Sequence, residues 1–395
     1  MGALDGIRVL DLGLLVQGPQ AAALLGDMGA TVIKVELPSI GDQARWLPVS
    51  STDLRSGIFI GSNRGKRSIT VDLRTPGGVS VLLKLVDTAD VLIANFKPGT
   101  LEDWGIGYDE LAARNPRIIV GLGSTFGPVG PTSTREGADM AGQAAGGLIA
   151  STGVDGGEPT PVGATIADHI SSQHLAAGIL GALYARERTG RGQKIEVSLL
   201  GGQVWAQAGE YTHYFLSGEN PGRANYGHAL IRGIYGIFPT ADGWLAIVGV
   251  PVPVRPAFAK LLGSPPFLDE PRFASPLLTK TDRDDIQVLL SEILRTRTTV
   301  EWVDSLAAAG VRVAPVNNYA MAAADPQLAL NGYVQEIDHP EWGTVRMVGS
   351  PLRMSDTPVV PGRFIPELGQ HTEEILVELG YNWDDITALR DSGAI

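Results

Sequence analysis

The stretch IRVLDLGLLVQGPQAAALLGDMGATVIKVE, Ile7–Glu36, decides the fold. Ile7-Arg-Val-Leu-Asp11 reads as a buried strand. Pro19 to Met28 reads as a helix, with proline near its start and Gly29 just past its end. Thr31-Val-Ile-Lys-Val-Glu36 reads as a second strand. Strand, helix and strand in this order make a βαβ unit, which predicts a parallel sheet. The pattern continues with strands over Ser68–Leu73, Val91–Asn95 and Ile118–Leu122, and with helices over Gly77–Thr88 and about Leu111–Arg114. Together they predict an open, Rossmann-like α/β sheet.

A nicotinamide dinucleotide is disfavoured in this sheet. The first turn, Leu12-Gly-Leu-Leu-Val16-Gln17-Gly18-Pro19, lacks G-x-G-x-x-G. Gly121-Leu-Gly123-Ser-Thr-Phe126-Gly127 comes nearer, but Phe126 stands where the third glycine belongs. Glu36 sits where a ribose-binding acid would, and reads as a surface strand end.

Beyond about Gly218 the composition changes. Residues 219–233 are polar and rich in Gly, Pro and Asn, a linker signal. Asp242-Gly243 then separates two apolar runs, predicting a hairpin with a type I′ turn. Helical patterns follow at about 254–262, 284–295 and 299–309. The expected division is a large domain over 1–224, a smaller α+β domain over 225–330, and a tail over 331–395 that returns to the large domain, with a terminal helix near 372–379.

Composition narrows the function. The chain has 395 residues and a net charge of −12, which argues against a general nucleic-acid or membrane-surface role. It has no cysteine, so disulfides, thiolate catalysis, Fe–S clusters and cysteine-based zinc sites are excluded. His169 and His174 are off the i,i+4 spacing of a helical zinc pair, and no metal is expected. No apolar run nears membrane-spanning length, and no charged-then-apolar leader is evident. The expected location is the cytoplasm.

Asp168 is the strongest candidate for chemistry. It follows the Pro/Gly-rich approach Pro161-Val-Gly-Ala-Thr-Ile-Ala-Asp168 and opens a long helical pattern. A carboxylate in a helix's first turn is favoured by the free N–H groups and the dipole, and can attack a carbonyl carbon. The same residues, Thr165-Ile-Ala-Asp168, also match a capping box.

Several segments occur together in order: Gly6–Asp11, Gln17-Gly18-Pro19, Gly29–Glu36, Asn63-Arg-Gly-Lys-Arg67, Asn95-Phe96-Lys97-Pro98-Gly99, Gln143–Gly147, the Asp168 segment, Glu187–Gln193 and Pro239–Gly243. This set resembles the class III CoA-transferases, the CaiB/BaiF family, from about residue 4 onward. The resemblance implies an interlocked homodimer, with the large domain built from both chain ends. It implies no tightly bound cofactor. A coenzyme A thioester would be a substrate and a free carboxylic acid the partner substrate. Asp168 matches the family's catalytic aspartate. Val16, Gln17 and Gly18 match the loop beside the thioester, and Val71, Asp72, Leu73 and Arg74 the adenine-side contacts. Asn95, Phe96 and Lys97 match the pantetheine and phosphate path, with Asp103 and Trp104 on the same wall. Arg74 and Lys97 suit the phosphates.

Two departures bear on substrate and reaction. Formyl-transferring members carry a glutamine at the slot of Val16 and a glycine-run lid where this chain has Ile247-Val-Gly-Val-Pro-Val-Pro253. Racemizing members have a histidine before Asp139, whereas this chain has Ala138, which cannot move a proton. The expected reaction is CoA transfer to a carboxylate. An acyl-CoA racemase and a non-catalytic acyl-CoA-binding protein are the alternatives. Arg45, Arg135, Arg223 and Arg232 are candidates to hold a second carboxylate of the acid.

Overall fold

The computed structural model describes residues 1–274 and 277–395. They form two compact units: 1–146 with 163–206 and 326–395, and 147–162 with 207–325.

The first unit is built on a six-stranded parallel sheet: β1 (Arg8–Asp11), β2 (Thr31–Glu36), β3 (Arg67–Thr70), β4 (Val91–Ala94), β5 (Ile119–Ser124) and β6 (Lys194–Ser198). Its spatial order is β3-β2-β1-β4-β5-β6, so strand order reverses between β1 and β4, where ligands of open α/β sheets bind. Side chains alternate across the sheet. Val9, Val32, Val91 and Ile119 face one layer with Leu25, Leu175 and Ile179. Leu10, Ile33, Leu92 and Val120 face the other, with Leu82, Leu85, Ile375 and Ile386. The last two residues lie on the tail helices Thr372–Glu378 and Trp383–Asp391, so the tail covers one face of the sheet.

The sequence reading lacks β6. The first helix also starts earlier than expected. It spans Gln17–Asp27 with Val16 at its N-cap position, so Gln17 and Gly18 lie in its first turn. Gly29 ends it with φ +111°. A Cβ there would also fall 2.5 Å from Asp5 Oδ1, so only glycine fits.

Glu36 is not a surface residue. It is 2% exposed and accepts from Arg45 Nε and Nη2 at 2.8 Å each, from Ser68 Oγ at 2.7 Å and from the Asp42 N–H at 3.0 Å. Burial raises its carboxyl, but the Arg45 bonds and charge outweigh that and hold it below the usual range.

The second unit carries an antiparallel sheet of β7 (Tyr235–Pro239), β8 (Trp244–Val248) and β9 (Val313–Pro315). Helices Lys280–Leu294 and Thr299–Ala308 enclose a core of Phe238, Leu245, Leu290 and Trp302. The hairpin forms, but Pro239 pairs with Trp244, leaving four loop residues rather than two. Asp242 does not serve a type I′ turn. It accepts from the Thr299 N–H at 2.7 Å and from Thr299 Oγ1 at 2.8 Å, tying the loop to the next helix. In the first unit, β10 (Val334–His339) and β11 (Gly343–Val348) form a separate antiparallel pair. No helix among the described residues is long and apolar enough to cross a membrane.

Candidate active site

Asp168 lies in the first turn of the helix Ile166–Thr189, which begins after Thr165. The capping box does not form, because Thr165 makes no side-chain cap bond. Asp139 takes that place from a distant segment: its Oδ1 accepts from the N–H of Ala167 at 2.7 Å and of Asp168 at 3.3 Å. Gln143 Nε2 donates to Asp139 Oδ2 at 2.6 Å and holds it there. Asp139 and Gln143 are a pair the sequence reading did not place beside Asp168. The local signals were Asp139 itself, in the motif Gly137-Ala138-Asp139, and Gln143 at the head of the segment Gln143–Gly147.

With its backbone anchored by Asp139, the Asp168 carboxylate accepts no hydrogen bond among the described residues. Burial and then the charge of Asp139 push its pKa up to about 7. The helix dipole and N–H groups do not win here, because Asp139 already neutralises them. A desolvated carboxylate of raised basicity is a stronger nucleophile than one in water. His169 is half-buried, and burial lowers its pKa despite the Asp139 charge.

The first helix meets the Asp168 helix through Gln17. Its Nε2 donates to Ser171 Oγ at 2.7 Å and to Ser124 O at 3.3 Å. Ser171 follows Asp168 by three residues, so both sit on one side of their helix. Gly123 makes this possible, since a Cβ there would fall 2.3 Å from Gln17 Oε1. The structure therefore brings Val16, Gln17 and Gly18 to the neighbourhood of Asp168. The N–H groups of Val16, Gln17 and Gly18 make no hydrogen bond among the described residues, and Pro19 has none to offer.

The remaining candidates are spread along the carboxyl edge of the sheet. Phe96 and Lys97 line a cleft of about 230 Å³ with Leu122, Gly123, Lys194 and Glu196. Trp104 backs Phe96 edge-on, with ring centroids 5.2 Å apart. Lys97 has no ion-pair partner among the described residues, whereas Lys194 pairs with Glu196 at 3.2 Å. Asp103 is exposed. Asn95 turns away from this cleft to bond Leu14: Leu14 N–H donates to its Oδ1 at 2.7 Å and its Nδ2 donates to Leu14 O at 2.9 Å.

Val71 and Leu73 point into the core at 2% and 7% exposure, so only their backbone can meet a ligand. Arg74 is exposed and held bidentately by Asp72, at 2.8 and 2.7 Å. This segment follows β3, three strands from β4, or roughly 15 Å at ordinary strand spacing.

The four arginines also separate. Arg45 is bound to Glu36 and stacked over Phe59 at 3.7 Å. Arg223 donates to the carbonyls of Ala150, Gly157 and Glu158. Arg135 and Arg232 are exposed and have no side-chain partner among the described residues. The described residues hold no group of three acidic or histidine side chains suited to a metal.

Residues 4–372 match the model of CoA-transferase family III. A succinate–glutarate CoA-transferase of Agrobacterium fabrum is 36% identical, over 95% of this chain and 95% of its own length. A formyl-CoA:oxalate CoA-transferase of Rhodopseudomonas palustris is 33% identical, over 100% of this chain and 97% of its own. The crystal structure of a CAIB/BAIF family protein from Brucella suis superposes with a TM-score of 0.85 at 33% identity, covering 96% of this chain and 99% of that one. The chain belongs to CoA-transferase family III and is a CoA-transferase.

Proposed function

We propose that this enzyme moves CoA from an acyl-CoA to a free carboxylic acid by way of Asp168. A carboxylate oxygen of Asp168 attacks the thioester carbonyl. The C–S bond breaks, leaving a mixed anhydride and CoA thiolate. The thiolate attacks the Asp168 carbonyl and forms an aspartyl-CoA thioester. The first acid departs as its carboxylate, carrying one oxygen from Asp168. An acceptor carboxylate then attacks the aspartyl thioester, and the released thiolate takes the acceptor's acyl group. Overall one CoA thioester is exchanged for another of similar energy, so no nucleotide hydrolysis enters.

The observation that carries this reading is the Asp168 carboxylate itself: half-buried, without a hydrogen-bond donor among the described residues, and with its pKa raised to about 7. A carboxylate serving only as a helix cap would spend its oxygens on N–H groups, and Asp139 does that here. The free N–H groups of Val16–Gly18 suit the oxyanion of each tetrahedral intermediate. Racemisation finds less support, since Ala138, the N-cap of the helix Asp139–Ala145, has no proton to move. The test is acceptor acid labelled with oxygen-18 in its carboxylate. One heavy oxygen should appear in the Asp168 side chain after turnover. Label in the acyl-CoA alone, with none in the Asp168 peptide, would sink the mechanism.

For the CoA phosphates the reading favours Lys97, open in its cleft, over Arg74, which must loosen its Asp72 pair. Lys97→Ala should weaken CoA binding by about 1–3 kcal/mol, the range of a charge-assisted bond. Calorimetric titration with CoA measures it, and unchanged affinity would remove Lys97 from the phosphate path.

The acid is open. The Agrobacterium relative's name pairs two dicarboxylates. Arg135 and Arg232 are the two candidates whose side chains have no partner among the described residues, which leaves them to hold a second carboxylate. A panel of mono- and dicarboxylic acceptors against Arg135→Ala and Arg232→Ala separates them: the variant that loses dicarboxylates while keeping monocarboxylates identifies the clamp. Equal loss for both acid classes would exclude either arginine.

A further inference from the structure

The turn between β1 and the first helix, Gly13–Leu15, is held by four side chains, three of them from distant positions. Asp11 Oδ1 accepts the Gly13 N–H at 2.9 Å. Asn95 takes both the N–H and the carbonyl of Leu14. Asp42 Oδ1 accepts the Leu15 N–H at 2.9 Å. Lys34 Nζ donates to the Gly13 carbonyl and lies 2.8 Å from Asp42 Oδ2 as an ion pair, outside hydrogen-bond geometry. Lys34 and Asp42 are both fully buried. Every backbone donor of the turn is therefore consumed before any ligand arrives.

One residue of the turn is strained. Leu15 has φ +61°, a conformation costly for a leucine, and Asp42 grips its N–H. Releasing Leu15 would let the turn relax and change the direction in which the next three N–H groups point. Those are the free donors of Val16, Gln17 and Gly18.

We propose that Asp42, Lys34 and Asn95 are positioning residues for the transfer reaction: they fix Gly13–Leu15 so that the N–H groups of Val16–Gly18 stay unpaired and aimed at the reacting thioester. This rests on the reading of Asp168 and the Val16–Gly18 turn given above. The device acts on the transition state, so kcat should move and the acyl-CoA KM should not.

The experiment compares Asp42→Ala, Leu15→Gly and the double variant with the wild type, in kcat, KM and melting temperature. Asp42→Ala should lower kcat by roughly 10- to 100-fold, the scale of a misplaced reacting geometry. Adding Leu15→Gly should recover about fivefold, because glycine accepts the positive φ without the leucine's penalty. The melting temperature should not recover, since Leu15 also packs on the cluster around Phe59 and Ile337. If kcat and melting temperature instead fall together in the double variant, Asp42 is only structural and the proposal fails.

Asn95→Ala gives a second arm should Asp42→Ala not fold, because Asn95 is only part-buried. A fall in kcat with KM unchanged supports positioning. A rise in KM with kcat intact makes Asn95 a lining residue and overturns its part. The oxygen-18 experiment on the wild type is separate. Its failure would sink the aspartyl mechanism, whereas wild-type kcat in Asp42→Ala and Asn95→Ala with labelling intact would sink this proposal alone.

Discussion

Asp168→Asn is expected to abolish CoA transfer, by about 10³-fold or more, and to make the protein more stable at pH 8. An amide cannot form the anhydride, so the chemical step is lost while CoA binding remains. The stability half follows from the raised pKa. An aspartate near 3.8 in the unfolded chain titrates at about 7 in the fold. Between those values the native state holds the proton and the unfolded state does not. Stability therefore falls as pH rises through that window. Above it the ionised carboxylate burdens the fold, and below pH 4 the burden is gone. The carboxylate is partly exposed, and solvent screening trims the cost to roughly 1–3 kcal/mol. Thermal melts at pH 4 and pH 8 measure it: the variant should match the wild type at pH 4 and exceed it at pH 8. No local cap is lost, because Asp139 receives the Ala167 and Asp168 N–H groups through backbone donors that the substitution keeps. Retained transfer in this variant, or a lower melting point at pH 8, would contradict the site described here.

What the sequence made legible follows the range of each interaction. The βαβ unit of Ile7–Glu36 was readable because buried parallel strands are continuous apolar runs, and because Gly29 ends the helix locally. β6 escaped notice because Lys194-Ile-Glu-Val-Ser alternates polar and apolar at the sheet edge, after a turn-like Gly190 and Gly192. Its position depends on pairing with β5. The Thr165–Asp168 capping box was a correct local pattern that a tertiary partner displaced: Asp139 is 28 residues from Ala167. Glu36 looked like a surface strand end because no periodic pattern links it to the partners that bury it: Arg45, nine residues on, and Ser68, 32 residues on in β3. Asn95 shows the same range dependence: its side chain bonds Leu14 across the β1–β4 adjacency, a contact no local pattern announces.

Asp11→Asn should be among the most destabilising single substitutions, at about 3–5 kcal/mol, because it strips the shared partner from two buried lysines. Asp11 is fully buried, lies 2.7 Å from Lys66 Nζ and 3.6 Å from Lys34 Nζ, and also receives the Gly13 N–H. Burial alone would raise its carboxyl, but the two lysine charges overturn that and hold it below the usual range. Burial pushes Lys66 down to about 8 even with Asp11 beside it, so without Asp11 the ammonium loses its main support. Lys66 would keep only the Pro19 carbonyl and Asn63 Oδ1, each at 2.8 Å. Asparagine can keep the oxygen that receives Gly13, but its amide nitrogen then faces the Lys66 ammonium, so the damage falls on the Lys66 side as lost charge and a lost hydrogen bond. Lys66→Met alone should also destabilise, by leaving Asp11 with Lys34 only. The double variant should cost less than the sum of the singles, with a coupling of about 2–3 kcal/mol, because removing both charges of a buried pair leaves nothing uncompensated. Urea unfolding of the four proteins measures the cycle. Additive losses would mean that the pair does not hold the strand and that shape alone seats the turn beneath Gly13. A large coupling would place the stability of this fold and the seating of the Gly13–Leu15 turn on the same buried ions.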